Sequence, residues 1–196
     1  DEKMDQELFF LGYNYYELGN LKKGTEFYSR LSKDYPRSPY VIEANFALAE
    51  YYFENEKWEP AKKYYAQVLR FKHHRLFAFS LYKTAWAEFR SGHSARALKL
   101  MEALILQGRQ QAAQAELEGR KNISRSRLDN EGLRDIVLFY ADIGDPAKAP
   151  DYFHNLTDKN ADDYIEKLAY YYGDKGNLQG ARVLFTYLVP ADPTSP

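Results

Sequence analysis

The stretch Glu50–Leu69, EYYFENEKWEPAKKYYAQVL, carries two doubled tyrosines, Tyr51-Tyr52 and Tyr64-Tyr65, with Phe53 and Trp58 between them. Tyrosine runs return at Tyr15-Tyr16 and Tyr170-Tyr171-Tyr172, and the chain of 196 residues holds 18 tyrosines in all. Neighbouring residues on a helix point about 100° apart, so one ring of a doublet can pack inward while the other turns elsewhere. Ala61 decides how this stretch folds. It follows the turn ENEKWEP and is followed by a large residue four positions on, Tyr65, and an aliphatic one seven positions on, Val68. Spacings of three, four and seven keep such residues on one helix face.

The same pattern recurs along the chain. Five turns end in a small residue: Gly24, Ala61, Ala97, Ala149 and Ala181, separated by 37, 36, 52 and 32 residues. Four positions after each stands Tyr28, Tyr65, Met101, Phe153 or Phe185, and seven after it Leu31, Val68, Leu104, Leu156 or Leu188. Twelve positions before it stands Gly12, Ala49, Ala85, Val137 or Ala169. Nine before it stands Tyr15, Tyr52, Glu88, Tyr140 or Tyr172, so only Glu88 breaks an aromatic column. Small residues let two antiparallel helices approach, and large residues a turn away fill the wedge beside the crossing. Gly19-Asn20, Gly144-Asp145 and Gly176-Asn177 supply turns in which glycine ends the first helix. A recurrence of this kind is the signature of a stacked helical array.

These columns resemble the tetratricopeptide repeat (TPR) family, whose 34-residue helix-turn-helix unit places small, large and proline positions in this order. The first repeat matches best, through Leu11, Gly12, Tyr15, Gly24, Tyr28, Leu31 and Pro36. Residues 28–69 are similar to repeats of bacterial cell-envelope proteins of the BamD and CpoB type, and residues 133–153 to TPR proteins of gliding deltaproteobacteria. The resemblance implies an all-α, right-handed superhelix of about five hairpins with an insertion after the third. Residues 1–106 then hold repeats one to three, residues 107–130 the insertion, and residues 131–196 repeats four and five with a proline-rich tail at Pro190, Pro193 and Pro196. In the insertion, Gln110–Leu117 is rich in helix formers and extends the preceding helix. Residues 118–130 are polar and are expected to form the most mobile internal loop.

Composition narrows the function. The net charge of −1 gives no global field toward nucleic acid or anionic membrane. No stretch reaches the roughly 18 to 20 apolar residues of a membrane span. The chain begins at Asp1 without methionine and reads as an excised fragment. With no cysteine, disulfides, thiolate metal sites and cysteine nucleophiles are all absent. His73 and His74 are adjacent and cannot share a metal as an i, i+4 pair does, so RFKHHR reads as a solvated basic loop; His93 and His154 lie in other segments. No phosphate loop, G-x-S-x-G or H-E-x-x-H motif is present. Glu50, Glu54 and Glu56 read as a solvated helix face and turn. Arg109, Arg120, Lys121, Arg125 and Arg127 read as a solubilising segment diluted by Glu116, Glu118 and Asp129, and Asn122-Ile123-Ser124 fits a glycosylation sequon.

The chain is therefore expected to be a non-enzymatic interaction scaffold with no cofactor and no metal. Its expected partner is a protein or peptide rather than nucleic acid; homo-oligomerisation is left open. The resemblance places it in the periplasm or cell envelope, with the cytoplasm as the alternative. With the small-residue column as register, the inward positions are Phe9, Tyr13 and Tyr16, then Phe46, Glu50 and Phe53, then Tyr82, Trp86 and Phe89. Eight of these nine are aromatic, which marks a concave partner-binding wall. Repeat four has Arg134, Leu138 and Ala141 there instead, so the wall stops. The competing reading is that the rings pack on one another. Two other functions are weighed beside the scaffold. One is a docking module of a larger enzyme. The other is an RNA-reading helical repeat, which needs a recurrent polar code that these positions lack. Some TPR domains clamp chaperone C-termini with Lys and Asn; Phe9 and Tyr13 stand at the matching places and argue against that use.

Overall fold

The computed structural model describes residues 3–119, 127–157 and 159–189, and among them contains helices and no strand. The helices are α1 (Met4–Glu17), α2 (Leu21–Asp34), α3 (Val41–Glu54), α4 (Trp58–Val68), α5 (Phe77–Arg90), α6 (Ser94–Leu117), α7 (Arg127–Ile143), α8 (Ala149–Leu156), α9 (Ala161–Asp174) and α10 (Leu178–Leu188), with a 3-10 turn at Pro146–Lys148 before α8. The chain divides into two compact units, residues 1–93 and 94–196. This division falls at the turn between α5 and α6, whereas the repeat count puts a boundary at 106. The proline tail, the sequon at Asn122, and Arg120, Lys121 and Arg125 lie outside the described residues.

Four inter-helix turns share one backbone design. After α1, Gly19 takes φ 74°, its N–H donates to Tyr16 O at 2.9 Å, and Asn20 N donates to Tyr15 O at 2.8 Å. Gly92 and Gly176 repeat this with φ 81° and 79°. The turn after α3 repeats it with Glu56, at φ 56°, where the others have glycine. These bonds satisfy the last carbonyls of the outgoing helix. The next helix is then capped where asparagine is available: Asn20 accepts from Lys23 N at 3.2 Å and Asn177 from Gly180 N at 3.0 Å.

In the first unit, α1 and α2 meet at two glycines. A Cβ on Gly12 would lie 2.6 Å from Tyr28 Cε1, and one on Gly24 would collide with the Tyr16 ring. Each ring occupies the space that a side chain on the facing helix would need. In the next hairpin buried Ala49 and Ala61 pack with Tyr65. Leu8, Tyr28, Leu31, Ala44 and Leu48 carry the core from α1 and α2 into α3. One ring of each doublet seals its own hairpin: Tyr15 stacks on Phe27 at 5.4 Å, and Tyr52 on Tyr64 at 5.6 Å.

The second unit centres on α7 and α9, with Leu133, Ile136, Phe139, Phe153, Ile165, Leu168 and Leu184 buried. The helix formers Gln110–Leu117 are the end of the 24-residue α6. Residues 127–130, expected in a loop, are the first turn of α7. Gly108 explains this: a Cβ there would strike the Asp129 carboxylate, so α7 closes onto α6 at that point. Asp129 is therefore buried rather than a solvated charge.

Buried phenols give this core a pH limit. Burial, with Tyr13 nearby, pushes the Tyr28 hydroxyl up to about 12. Burial, with Tyr172 and Asp145 nearby, does the same to Tyr140, up to about 12. The unfolded chain deprotonates near the ordinary value of about 10, so it releases its protons first. Stability from these groups is complete below about pH 10 and is lost as pH rises toward about 12. The urea midpoint is expected to fall between about pH 9 and about 11.5 while native phenolate absorbance lags behind; a flat midpoint across that window would contradict the buried assignment.

Candidate functional site

The nine inward positions separate into two groups. Phe9 is half-buried and stacks on Tyr40 with centroids 4.9 Å apart. Tyr16 covers Gly24 and donates its hydroxyl to Ala47 O at 3.2 Å, linking α1 to α3. Burial first, then Tyr28, pushes its pKa well above the phenol range. Phe46 is half-buried with its ring 6.1 Å from Tyr65. These three side chains serve packing. Tyr13 is 48% exposed and stands apart from the cleft lining.

The second group gathers at α3 and α5. Phe53, Tyr82 and Trp86 line an open cleft of about 390 Å³ together with Glu54, Glu56, Trp58, Lys83 and Arg90. Phe53 meets Trp58 edge-on at 5.3 Å, and Trp86 meets Phe89 edge-on at 5.9 Å. Lys83 ties α5 to α3: its ammonium pairs with Glu50 at 3.3 Å and Glu54 at 3.7 Å and sits 4.4 Å above the Phe53 ring. The Arg90 guanidinium lies 5.5 Å over Trp86. Glu50 also accepts from the Tyr65 hydroxyl, and burial together with that carboxylate drives the Tyr65 pKa far up. Glu50 is thus a structural acceptor rather than a solvated face. Sequence reasoning passed over Trp58, Lys83 and Arg90. Trp58 sits in the quoted turn, and its bulk at the first position of α4 was the available signal.

Glu88, which breaks the aromatic column, is buried and joins α5 to α4. Lys62 Nζ donates to it at 3.0 Å, and His93 Nδ1 lies 3.0 Å away. Burial opposes the Lys62 charge, but the hydrogen bonds to Glu59 and Glu88 outweigh it and raise its pKa. Two other expectations change. His74 is half-buried, accepts from Leu76 N at 3.3 Å through Nδ1 and faces Glu43 through Nε2 at 3.4 Å, so it orders its loop instead of being merely solvated. Arg109 donates to Asn155 O at 3.0 Å and Leu156 O at 2.9 Å, closing the C-terminus of α8. Among the described residues no group of three or more His, Asp or Glu is placed to hold a metal, and no helix is long and apolar enough to cross a membrane.

Comparison with known proteins agrees with the hairpin geometry. The tetratricopeptide repeat family model matches residues 8–38 and 43–70. These two segments are similar to tetratricopeptide repeats. Two crystal structures of kinesin light chain-like TPR repeats from Podosopora anserina superpose with a TM-score of 0.57 at 16% identity, covering 95% of this chain and 94% or 93% of theirs. The assembly chaperone of RpL4, Acl4, superposes with a TM-score of 0.51 at 16% identity, covering 98% of this chain and 79% of that one. At such identity the likeness is one of fold. No curated protein matches the sequence.

The Lys62–Glu88 pair makes a stability prediction. Removing one partner of a buried pair strands the other. Lys62→Met is expected to destabilise by about 2–3 kcal/mol, less than a fully isolated charge because His93 remains, while Lys63→Met, at an exposed and unpaired neighbour, stays within about 0.5 kcal/mol. Equal urea midpoints for the two variants would contradict the assignment.

Proposed function

We propose that the chain is a non-enzymatic scaffold that seats an apolar or aromatic segment of a partner protein in the Phe53–Trp58–Tyr82–Trp86 cleft. TPR repeats generally mediate protein–protein interaction, and the repeats of this chain include the helix α3 that carries Phe53. The observation that carries the reading is Glu56. Three sister turns use glycine at the left-handed position, and the cleft-lining turn alone among the four keeps a side chain there. That conformation costs a non-glycine residue about 1–2 kcal/mol, and backbone strain concentrates at functional positions. Half-buried Trp86 and Tyr82 offer a large contact area with few rotamers to freeze. Placement in the bacterial cell envelope is supported by the resemblance of residues 28–69 to BamD- and CpoB-type repeats.

The test uses peptides selected from a random library against the full chain. Trp86→Ala is expected to weaken the selected peptide by roughly 2 kcal/mol while circular dichroism stays native. Glu56→Gly is expected to raise the melting temperature and weaken binding together. Tyr13→Ala, outside the cleft, leaves affinity unchanged. Wild-type affinity in both Trp86→Ala and Glu56→Gly would move the site elsewhere.

A further inference from the structure

The outer helices of the first two hairpins, α2 and α4, bound a groove of about 460 Å³ that shares no lining residue with the aromatic cleft. Its charged lining is Lys33, Lys63 and Arg70. A second hollow continues from it through Arg70 and Phe71 and adds Ile42, Lys72 and His73. No Asp or Glu lines either hollow. The chain as a whole carries a net charge of −1, so this concentration of cations is local.

These cations also differ from their neighbours in being uncompensated. Arg30, Lys62, Arg75 and Lys83 each pair with a carboxylate, whereas Lys33, Lys63, Arg70 and Lys72 form no ion pair among the described residues. Two acids of the lining helices, Asp34 in α2 and Glu43 in α3, are already engaged: Asp34 by Arg30 at 3.5 Å, and Glu43 by Arg75 at 3.3 Å and His74 at 3.4 Å. A trough of unpaired cations between two helices concentrates a positive potential, because its walls exclude water from one side.

We propose that this groove binds an acidic peptide segment of a protein partner, at a site separate from the aromatic cleft. The shape chooses among anions. The groove and its continuation through Arg70 and Phe71 form one path along which a single extended chain can lie. Single-stranded RNA would call for several ring faces on which successive bases stack; Tyr64 stacks on Tyr52, with planes 2° apart, and Phe71 is the one exposed Phe, Tyr or Trp among the lining residues. Phe71, 44% exposed at the junction of the two hollows beside Ile42, suits an apolar side chain flanking the acidic run.

The test is fluorescence anisotropy of the full chain with a labelled synthetic peptide of alternating Asp and Glu ending in one leucine. Binding is expected at about 20 mM salt and to weaken steadily toward about 300 mM as screening shortens the reach of the charges. The double variant Lys33→Glu with Lys63→Glu is expected to bind at least about tenfold more weakly. The control Lys22→Glu with Lys57→Glu changes net charge equally at exposed, unpaired lysines outside the groove and is expected to lose less than about threefold. Circular dichroism confirms that both remain folded. Equal losses in the two variants, absence of binding at low salt, or tighter groove-dependent binding of oligouridylate or phosphatidylserine vesicles than of the peptide would each overturn the proposal.

Discussion

A tyrosine ring packed against a residue with little or no side chain is the contact on which the first unit depends. Tyr28 against Gly12 and Tyr16 against Gly24 bring α1 and α2 together. Tyr65 beside Ala49 and Ala61 does so for α3 and α4. Dispersion rewards such contact only when the two surfaces touch, and a methyl group in the wrong place forces the rings out. The left-handed turn residue sets the angle at which the second helix returns. The doublets then divide their labour: one ring seals the crossing, and its neighbour stacks within the hairpin or reaches to the next helix.

The hairpins and their register were legible in the sequence because the packing columns recur at fixed intervals. Tyr28, Tyr65 and Phe153 occupy the large-residue column and are buried as that column requires. The ends of the 107–130 segment were harder to place. Gly108 and Asp129 are far apart in sequence, and only their contact shows that α7 starts at Arg127. Arg109 looked like a surface cation because its partners are main-chain carbonyls 46 and 47 residues away. Main-chain acceptors leave no trace in composition.

The candidate site was legible in part for the same reason. A residue's face on a helix can be counted, so Phe53, Tyr82 and Trp86 were named together. Which rings are consumed by packing depends on neighbours from other helices and loops. Phe9 is taken up by Tyr40, and Tyr16 by Gly24 and the Ala47 carbonyl. The charges follow a similar logic. Glu88 looked like a fault in an aromatic column, yet it is the acceptor that holds α4 to α5 through Lys62. Glu56 looked like a polar turn residue, and only its φ of 56° sets it apart from the glycines of the sister turns.

The central claim is that ring-on-glycine contact, rather than glycine's flexibility, fixes the hairpin crossing, and a double-mutant cycle at Gly24 and Tyr16 tests it most directly. Gly24→Ala alone is expected to destabilise by about 1–3 kcal/mol, although alanine is the better helix former. In a Tyr16→Ala background the same substitution is expected to cost less than about half as much. A remainder persists because the added Cβ still lies 3.0 Å from Gly12 O. Equal costs of Gly24→Ala in the two backgrounds, measured by urea unfolding, would contradict the account.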